Sequence, residues 1–285
     1  MIRQTKWLLR FLAVFALFAA VACGGDDADE DGATTTPSAG VSPTARTEPV
    51  TLRLGYFANV THAPALVGVK DGTFKQELGE LVKLETKTFN AGPAVIEALF
   101  ANEIDISYIG PNPAINGFVQ SNGEALRIIG GSTSGGALLV VRPEAGITSA
   151  KDFANKKVAT PQLGNTQDVA LRAWLQENGL KAKEQGGNVT VLPTENATTL
   201  TLFQKGDIDA AWVPEPWATR LVQQAGGKIF LDEKSLWPNG QFVTTHIIVR
   251  TEFLKKYPDV VEKFLTANVK VIQAINADPE KAKTT

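Results

Sequence analysis

The sequence has few of the residues that disulfides, metal clusters and nucleic-acid binding require. Its 285 residues include one cysteine and two histidines. A single cysteine excludes an intramolecular disulfide and any zinc or iron–sulfur site that is built from several cysteines. The 28 lysines and arginines are balanced by 30 aspartates and glutamates, and no basic stripe is present, so nucleic acid is not an expected partner. We expect neither a metal site nor a cofactor.

Sequence patterns of common enzymes are missing as well. The chain contains no P-loop, no HExxH and no GxSxG pattern, and it has no Ser/His/Asp set in a known catalytic order. These absences favour a binding protein over an enzyme.

The N-terminus is typical of an exported protein. Three basic residues precede an apolar run at 11–22, which is too short to cross a membrane comfortably and ends at Cys23. The letters AVAC followed by Gly24 resemble a bacterial lipobox, although Ala20 stands where most such motifs carry leucine. The pattern predicts a signal peptide at 1–22, cleavage before Cys23 and lipidation of its sulfur. The alternative is a plain secretory signal with an incidental cysteine.

Residues 23–49 lack the large apolar side chains that a folded core needs. They are rich first in acidic residues and then in threonine, serine and proline. Such a segment cannot offset the entropy cost of ordering, so we predict a disordered tether, with an acidic partner-binding tail as the alternative. A lipidated cysteine and a tether would hold the protein at the outer face of the cytoplasmic membrane through a lipid anchor.

From residue 50 onward, short apolar strands alternate with helices, and each strand is followed by a turn rich in glycine, asparagine, serine or threonine. This alternation predicts an α/β fold with parallel sheets, in which ligands bind beyond the carboxyl ends of the strands. The polar turns at that edge contain the candidate residues Asn59, Thr61, His62, Asn90, Gly110, Asn112, Ser132, Thr133 and Ser134.

The strand pattern also indicates two lobes. Two apolar strands of similar character, ALLVVR from Ala137 and TTHIIVR from Thr244, are expected to cross between them. The predicted first lobe comprises residues 50–140 plus 244–285, and the predicted second lobe comprises residues 141–243.

An internal repeat supports this division. The run LFANEIDISYIGPNP from Leu99 matches LFQKGDIDAAWVPEP from Leu202 when one residue is inserted. Both runs are typical of a helix end, a tight turn, a buried strand and a loop interrupted by proline. The repeat predicts equivalent elements in two similar lobes, and chance similarity of two helix–strand joints is the alternative.

The stretch VATPQLGNTQDVALRAW, from Val158, contains the strongest local signal for ligand binding. A short strand breaks at a glycine turn, and a helix restarts with Asn165 or Thr166 at its N-cap. The first N–H groups of a helix have no intrahelical partner and the helix dipole is positive there, so this turn suits an anion. No lysine or arginine lies between Lys157 and Arg172, which favours a weakly basic oxoanion such as sulfonate, sulfate or nitrate. An ordinary capped helix is the alternative.

Four segments resemble the solute-binding proteins of ABC importers in the nitrate, sulfonate and taurine group. They are LRLGYF–THAPALVG, FNAGPAVIEALFANEIDISYIGPNPAINGF, LGNTQDVALRAWL and LFQKGDIDAAWVPEPWATRL. The resemblance implies a two-lobed periplasmic-binding-protein fold of type II, and a monomer that closes on a small anionic ligand and docks on the transmembrane subunits of a permease. Members of this family usually carry further helices after the segment equivalent to 260–277, which leaves open whether the chain is complete.

The resemblance also implies roles for particular residues. Ser132, Thr133 and Ser134 in the first lobe would face Gly164, Asn165 and Thr166 in the second, and both sets would hold the anionic head group. Asn59, Thr61 and His62 would line the cleft, where a histidine donates a hydrogen bond when neutral and adds positive charge when protonated. A flexible polar loop and a structural histidine are the alternatives.

The run from Trp212 to Trp217 indicates how the organic part of a ligand would be held. Two tryptophans flank Glu215, which suits a carbon body with a polar or cationic tail and favours a taurine-like sulfonate over bare nitrate or sulfate. Trp212 in a strand core and Glu215 bonded to backbone amides are the alternatives. Thr245 and His246 are further candidates.

Together these observations predict an extracytoplasmic solute-binding lipoprotein of an ABC importer that captures an aliphatic sulfonate or a taurine-like oxoanion. A nitrate- or bicarbonate-binding member of the same family is the first alternative. The second is an enzyme similar to the thiamine-pyrimidine synthases, which share this fold. It is disfavoured because those enzymes carry a cysteine cluster for iron, whereas Cys23 belongs to the lipobox motif.

Overall fold

The structure is a computed structural model of the chain, and it describes residues 47–285. These residues belong to one compact unit. The predicted signal peptide, the predicted lipidation site Cys23 and most of the predicted tether lie outside the described residues. None of the helices in the described part combines the length and the hydropathy that a membrane crossing needs.

Five strands form the first sheet: β1 (Val50–Phe57), β2 (Val82–Phe89), β3 (Ile106–Ile109), β4 (Leu126–Ser134) and β10 (Val243–Arg250). Their order is β2-β1-β3-β10-β4, with β1, β2 and β3 parallel and β10 antiparallel to both of its neighbours. The helices that accompany this sheet are α1 (Ala63–Lys70), α2 (Thr73–Leu78), α3 (Gly92–Phe100), α4 (Pro111–Gln120), α8 (Thr251–Lys256), α9 (Pro258–Ala277) and α10 (Pro279–Thr284).

Five further strands form the second sheet: β5 (Ala137–Val141), β6 (Lys157–Thr160), β7 (Thr190–Pro193), β8 (Ala210–Pro214) and β9 (Lys228–Asp232). Their order is β7-β6-β8-β5-β9, with β6, β7 and β8 parallel and β5 antiparallel to β8 and β9. The helices of this part are α5 (Thr166–Glu177), α6 (Asn196–Lys205) and α7 (Trp217–Ala225). The two sheets therefore have the same pattern of strand directions and corresponding strand orders, except that the antiparallel strand is the last in chain order in the first sheet and the first in the second.

Each sheet has a hydrophobic core on both faces, because successive side chains of a strand point to opposite sides. In β5, Leu139 and Val141 pack into a cluster with α5, whereas Leu138 and Val140 pack into a cluster with α6 and α7. The first sheet is covered in the same way, by α1, α2 and α9 on one face and by α3 and α4 on the other. A strand buried on both faces has no polar alternation, which explains the continuous apolar run of β5.

The internal repeat marks equivalent elements of the two sheets. Asp105 directly precedes β3 and Asp209 directly precedes β8. The Asp105 N–H donates to the carbonyl of Arg53 and its carboxylate accepts the Arg53 N–H, at 2.9 and 3.0 Å. Asp209 makes the same two bonds with Lys157, at 2.9 and 2.8 Å. The matching aspartates of the repeat thus make the same two hydrogen bonds to the neighbouring strand at the amino-terminal edge of each sheet.

The two strands expected to cross between the lobes each belong to a single sheet. The run ALLVV is β5, which lies wholly in the second sheet, and TTHIIVR lies in β10, wholly in the first. The chain passes from the first sheet to the second at Gly135 and Gly136, whose φ values of 81° and 76° suit glycine, and it returns between β9 and β10. The predicted lobe boundary at residue 140 falls inside β5.

Two local features differ from the sequence-based expectations. The strand from Leu126 continues through Ser134, so the three residues Ser132 to Ser134 lie in β4 and not in a turn, because their segment pairs with β10. The α4 helix begins with the letters Pro-Asn-Pro, which are typical of a turn. Proline is tolerated there because the first N–H groups of a helix have no intrahelical partner.

Candidate functional site

A cavity of about 30 Å³ lies between the two lobes. Its wall is formed mainly by the segments that directly follow β1, β2 and β3 in the first lobe and β6, β7 and β8 in the second. Thr244 and Thr245 of β10 complete it. This is the edge at which α/β sheets bind ligands, and the volume is enough for roughly two water-sized groups.

Four helices begin at the cavity wall. Their first or capping residues there are Gly92 of α3, Gly110 of α4, Thr166 of α5 and Asn196 of α6. The first N–H groups of each helix have no intrahelical acceptor, and the helix dipole adds partial positive charge at the same end. No lysine, arginine, aspartate or glutamate side chain is among the described residues that line the cavity. The wall therefore attracts an anion without carrying a formal charge.

The start of α5 is fixed by side-chain hydrogen bonds. The Asn165 side chain caps the helix, because its Oδ1 accepts the Asp168 N–H at 2.8 Å. Its Nδ2 donates to Oε1 of Gln167 at 3.1 Å. The sequence prediction of an N-cap at this turn is confirmed. The polar atoms of Asn165 are thus engaged within the loop, and the amide nitrogen of Gln167 has no acceptor among the described residues.

Asp168 holds the turn that precedes α5. Its buried carboxylate accepts hydrogen bonds from Thr160 Oγ1 and from the Gly164 N–H, both at 3.0 Å. It also pairs with Arg172, one turn further along the helix, at 2.9 Å. The carboxylate therefore neutralises Arg172, which does not line the cavity, and it keeps the turn in the shape that exposes the helix start.

Gly110 and Thr166 bring the two lobes into close contact. A side chain at Gly110 would overlap Thr166 Oγ1 and lie 3.3 Å from Thr166 Cβ. Gly110 has a φ of −73°, so space and not backbone strain requires glycine at this position.

His62 lies in the cavity wall as a neutral donor. Burial lowers its pKa to about 3, and its ring packs on Phe57 with the centroids 4.2 Å apart. Nδ1 accepts the backbone N–H of Phe57 at 3.3 Å, which places the ring proton on Nε2. No described residue accepts from Nε2, so this N–H is available to a ligand.

Glu215 and Trp217 of the tryptophan–glutamate run do not line the cavity. Nε1 of Trp217 donates to Oδ1 of Asn59 at 3.0 Å, and the Val60 N–H donates to the carbonyl of Glu215 at 3.1 Å. Both bonds join the lobes. The Glu215 carboxylate accepts from the N–H and the hydroxyl of Thr219, both at 3.0 Å, and so stabilises the start of α7 outside the cavity.

The hydroxyl groups of β4 also lie outside the cavity. Thr133 Oγ1 donates to the carbonyl of Thr61 at 2.6 Å, and Ser134 Oγ accepts the Phe242 N–H at 3.3 Å. Ser132 Oγ is buried and has no partner among the described residues. These bonds hold β4 against neighbouring segments.

The structure thus divides the predicted site residues into two sets. Those in the cavity wall are Asn59, Thr61, His62, Asn90, Gly110, Asn165 and Thr166. Those that do not line it are Asn112, Ser132, Thr133, Ser134, Gly164, Glu215 and Trp217.

The sequence matches the NMT1-like family over residues 45–285. The chain belongs to the NMT1-like family. It is 26% identical over 217 residues to the taurine-binding periplasmic protein of Escherichia coli K12, a match that covers 76% of this chain and 64% of that protein. The chain therefore spans less than two thirds of the length of this relative.

Solved structures show the fold of this NMT1-like protein. It superimposes on the alkanesulfonate-binding protein SsuA from Xanthomonas axonopodis pv. citri bound to MOPS, with a TM-score of 0.71 and 20% identity over 83% of this chain and 78% of that one. It superimposes on the periplasmic nitrate-binding protein NrtA from Synechocystis PCC 6803, with a TM-score of 0.67 and 19% identity over 79% of this chain and 62% of that one. The predicted two-lobed periplasmic-binding-protein fold is confirmed.

Sequence reasoning missed three polar residues of the cavity wall: Gln167, Asn196 and Thr244 of β10. The Asn196 side chain is buried, and its Oδ1 has no partner among the described residues of this NMT1-like protein. Gln167 and Asn196 follow strands of the second sheet and stand in the first turn of a helix, α5 or α6. Gln167 directly follows the turn that the sequence indicated after β6, and the strand-end rule would have selected Asn196 had it been applied to β7.

We expect the stability of this NMT1-like protein to fall as the pH falls from 6.5 to 5. Burial lowers the pKa of His62 to about 3 and that of His246 to about 4. Because free histidine titrates near 6.5, the unfolded chain holds up to two more protons than the folded chain in this window. Each histidine then lowers the free energy of unfolding by about 1.4 kcal/mol per pH unit.

Glu233 opposes this trend. Burial raises its pKa to about 7, with Nε1 of Trp212 donating to the carboxyl at 2.9 Å, so its contribution to stability is lost as the pH rises from 4.5 to 7. Because Glu233 offsets one of the two histidines, the free energy of unfolding should change with pH at the rate expected for about one histidine. Urea titrations at pH 5 and 6.5 would measure it, and the slope should nearly vanish in His246→Gln. An equal slope in that variant would contradict the assignment.

Proposed function

We propose that this protein is the solute-binding component of an ABC importer and that it captures a small organic oxoanion, an aliphatic sulfonate or a taurine-like compound, between its lobes. The observation that carries the proposal is the convergence of four helix N-termini on a cavity without a charged side chain. Relatives named for taurine, alkanesulfonate and nitrate binding support it.

The chemistry of the wall favours a singly charged, weakly basic head group. Helix N-termini and neutral donors, such as Nε2 of His62, stabilise negative charge but do not supply a full positive charge to balance a dianion. Burying a second uncompensated charge would be costly. A sulfonate meets these conditions, and nitrate and bicarbonate meet them as well.

Closure of the lobes would couple binding to delivery. The bonds from Trp217 to Asn59 and from Val60 to Glu215 join the lobes around the cavity, and a ligand there contacts both lobes at once. Such a ligand favours the closed state, because it gains its full set of contacts only in that state. The closed protein would then dock on the transmembrane permease subunits as a monomer. A predicted lipid anchor at Cys23 would keep it at the outer face of the cytoplasmic membrane.

A thermal-shift panel tests the proposal. Taurine, 1-propanesulfonate, sulfate, nitrate, bicarbonate and a pyrimidine precursor are added to the purified protein, and a sulfonate is expected to raise the melting temperature by mass action. A shift with nitrate or bicarbonate alone would assign the protein to the inorganic-anion alternative. A pyrimidine precursor as the only active compound would contradict the proposal.

We expect Thr166→Ala to weaken sulfonate binding about tenfold, because the loss of one hydrogen bond to the ligand costs about 1.4 kcal/mol of binding free energy. Thr166 lies in the cavity wall at the start of α5. Ser134→Ala is the matched control, because the Ser134 hydroxyl faces Phe242 and does not line the cavity. Isothermal titration calorimetry would measure both affinities. Equal losses of affinity in the two variants would contradict the assignment of the Thr166 hydroxyl, and not that of Ser134, to the ligand-binding cavity.

A further inference from the structure

A second cavity adjoins the first at the cleft between the lobes. Its volume is about 370 Å³, and it shares Asn90, Ala91 and Pro161 with the first cavity. Phe89 from the first lobe and Glu195 from the second also line it. The two cavities are therefore neighbours within the cleft.

The first cavity has room only for a head group. Its volume of about 30 Å³ accommodates roughly two water-sized groups, whereas an organic sulfonate also carries a carbon chain. At Gly110 the two lobes are so close that an added Cβ would overlap Thr166 Oγ1. The adjoining cavity is the space into which such a chain would extend.

The two cavities differ in charge. The wall of the first has no charged side chain, whereas the second contains the Glu195 carboxylate and no lysine or arginine among its described lining residues. Lys87, whose Nζ lies 5.5 Å from the centroid of the Phe89 ring, is paired with Glu103. The second cavity is therefore negative, next to a first cavity whose helix ends favour negative charge in the ligand.

Asn90 and Glu195 are hydrogen-bonded to each other across the cleft. Asn90 Nδ2 donates to Glu195 Oε1 at 2.8 Å, and this bond joins the two lobes. Because a carboxylate only accepts, Asn90 must present its NH₂ group to Glu195, which leaves its own Oδ1 as an acceptor. The second carboxylate oxygen has no partner among the described residues. Asn90 Oδ1 and the second carboxylate oxygen of Glu195 therefore remain as two hydrogen-bond acceptors for a donor group of the ligand.

We propose that the second cavity holds the tail of the ligand and that Glu195 selects tails that carry an ammonium group. The ligand class is then an aminoalkanesulfonate, with its sulfonate at the helix starts and its ammonium between Glu195 and Asn90. The inference rests on the proposed function. The role that the sequence suggested for Glu215 belongs to Glu195, because the Glu215 carboxylate is bonded to Thr219 outside the cavities.

Two ligands of nearly equal shape test this selection. Taurine and 1-propanesulfonate have the same head group and chain length, and they differ in a terminal ammonium or methyl. Calorimetric titration should give the wild-type protein at least a tenfold preference for taurine. Glu195→Gln should weaken taurine binding about tenfold and change the affinity for 1-propanesulfonate less than twofold, because Gln keeps the size and loses the charge.

Glu215→Gln is the matched control and should leave the preference intact. Unchanged taurine affinity in Glu195→Gln, or equal losses for both ligands, would overturn the inference while leaving the sulfonate-binding function in place. Absence of binding for both ligands in the wild-type protein would contradict the proposed function itself. Retained 1-propanesulfonate affinity in Glu195→Gln also shows that the variant is folded.

Discussion

Replacement of Gly110 by valine should lower the affinity for 1-propanesulfonate at least 100-fold without lowering the stability of the ligand-free protein. A side chain at this position would overlap Thr166 across the cleft and approach the Thr244 carbonyl to 3.5 Å. A variant that cannot close forfeits the contacts of one whole lobe with the ligand, which is worth more than any single hydrogen bond. The two lobes have separate cores, so opening the cleft does not unfold either of them.

Gly131→Val is the control for this experiment. Gly131 lies in β4, and a Cβ added there would meet no atom within 4 Å outside its chain neighbours. Calorimetry should find the wild-type affinity in Gly131→Val and no measurable binding in Gly110→Val, with equal melting temperatures for the ligand-free proteins. Wild-type affinity in Gly110→Val would mean that the Gly110–Thr166 contact is not needed for ligand binding.

Asp168→Asn should lower the free energy of unfolding by about 3 kcal/mol and also weaken ligand binding more than tenfold. The substitution removes the charge that pairs with Arg172, and breaking a buried ion pair from one side is costly. It also turns an NH₂ group toward donors, because both Thr160 and Gly164 donate to this carboxylate. The turn before α5 then loses its shape, and with it the helix start in the cavity wall.

Asp105→Asn is the control that should separate the loss of stability from the loss of ligand affinity. Asp105 is also buried and pairs with Arg53 and Arg250, but it lies at the amino-terminal edge of its sheet, away from the cavity. It should lose a similar amount of stability and keep its affinity for 1-propanesulfonate within twofold. Guanidinium unfolding and calorimetry at low temperature would measure the two quantities. Equal loss of affinity in both variants would make the effect of Asp168 purely one of stability.

The strand and helix pattern could be predicted because it depends on local chemistry. The run VTLRLGYF alternates as a strand does and is β1, from Val50 to Phe57. The cap at Asn165 follows from one side chain and the N–H three residues later. Both signals lie within a few residues of one another, so no knowledge of the tertiary structure was needed.

The differences between the predicted site and the cavity wall arise from contacts between distant segments. The sequence predicts a turn at Ser132 to Ser134 because glycines surround them. Pairing with β10, over 100 residues away, instead extends the strand through these residues. Glu215 read as a ligand contact because two tryptophans flank it, but Trp217 turns toward Asn59 in the other lobe. Neither partner is visible in the local sequence, and the same is true of the bond between Asn90 and Glu195.

The neutrality of His62 has a consequence for the pH dependence of the first cavity. Its ring is already deprotonated well above pH 3, and no other titratable side chain lines the head-group cavity among the described residues. Capture of the head group there requires neither uptake nor release of a proton around neutral pH. A change of pH near neutrality would therefore neither load nor empty this cavity through protonation of its own side chains.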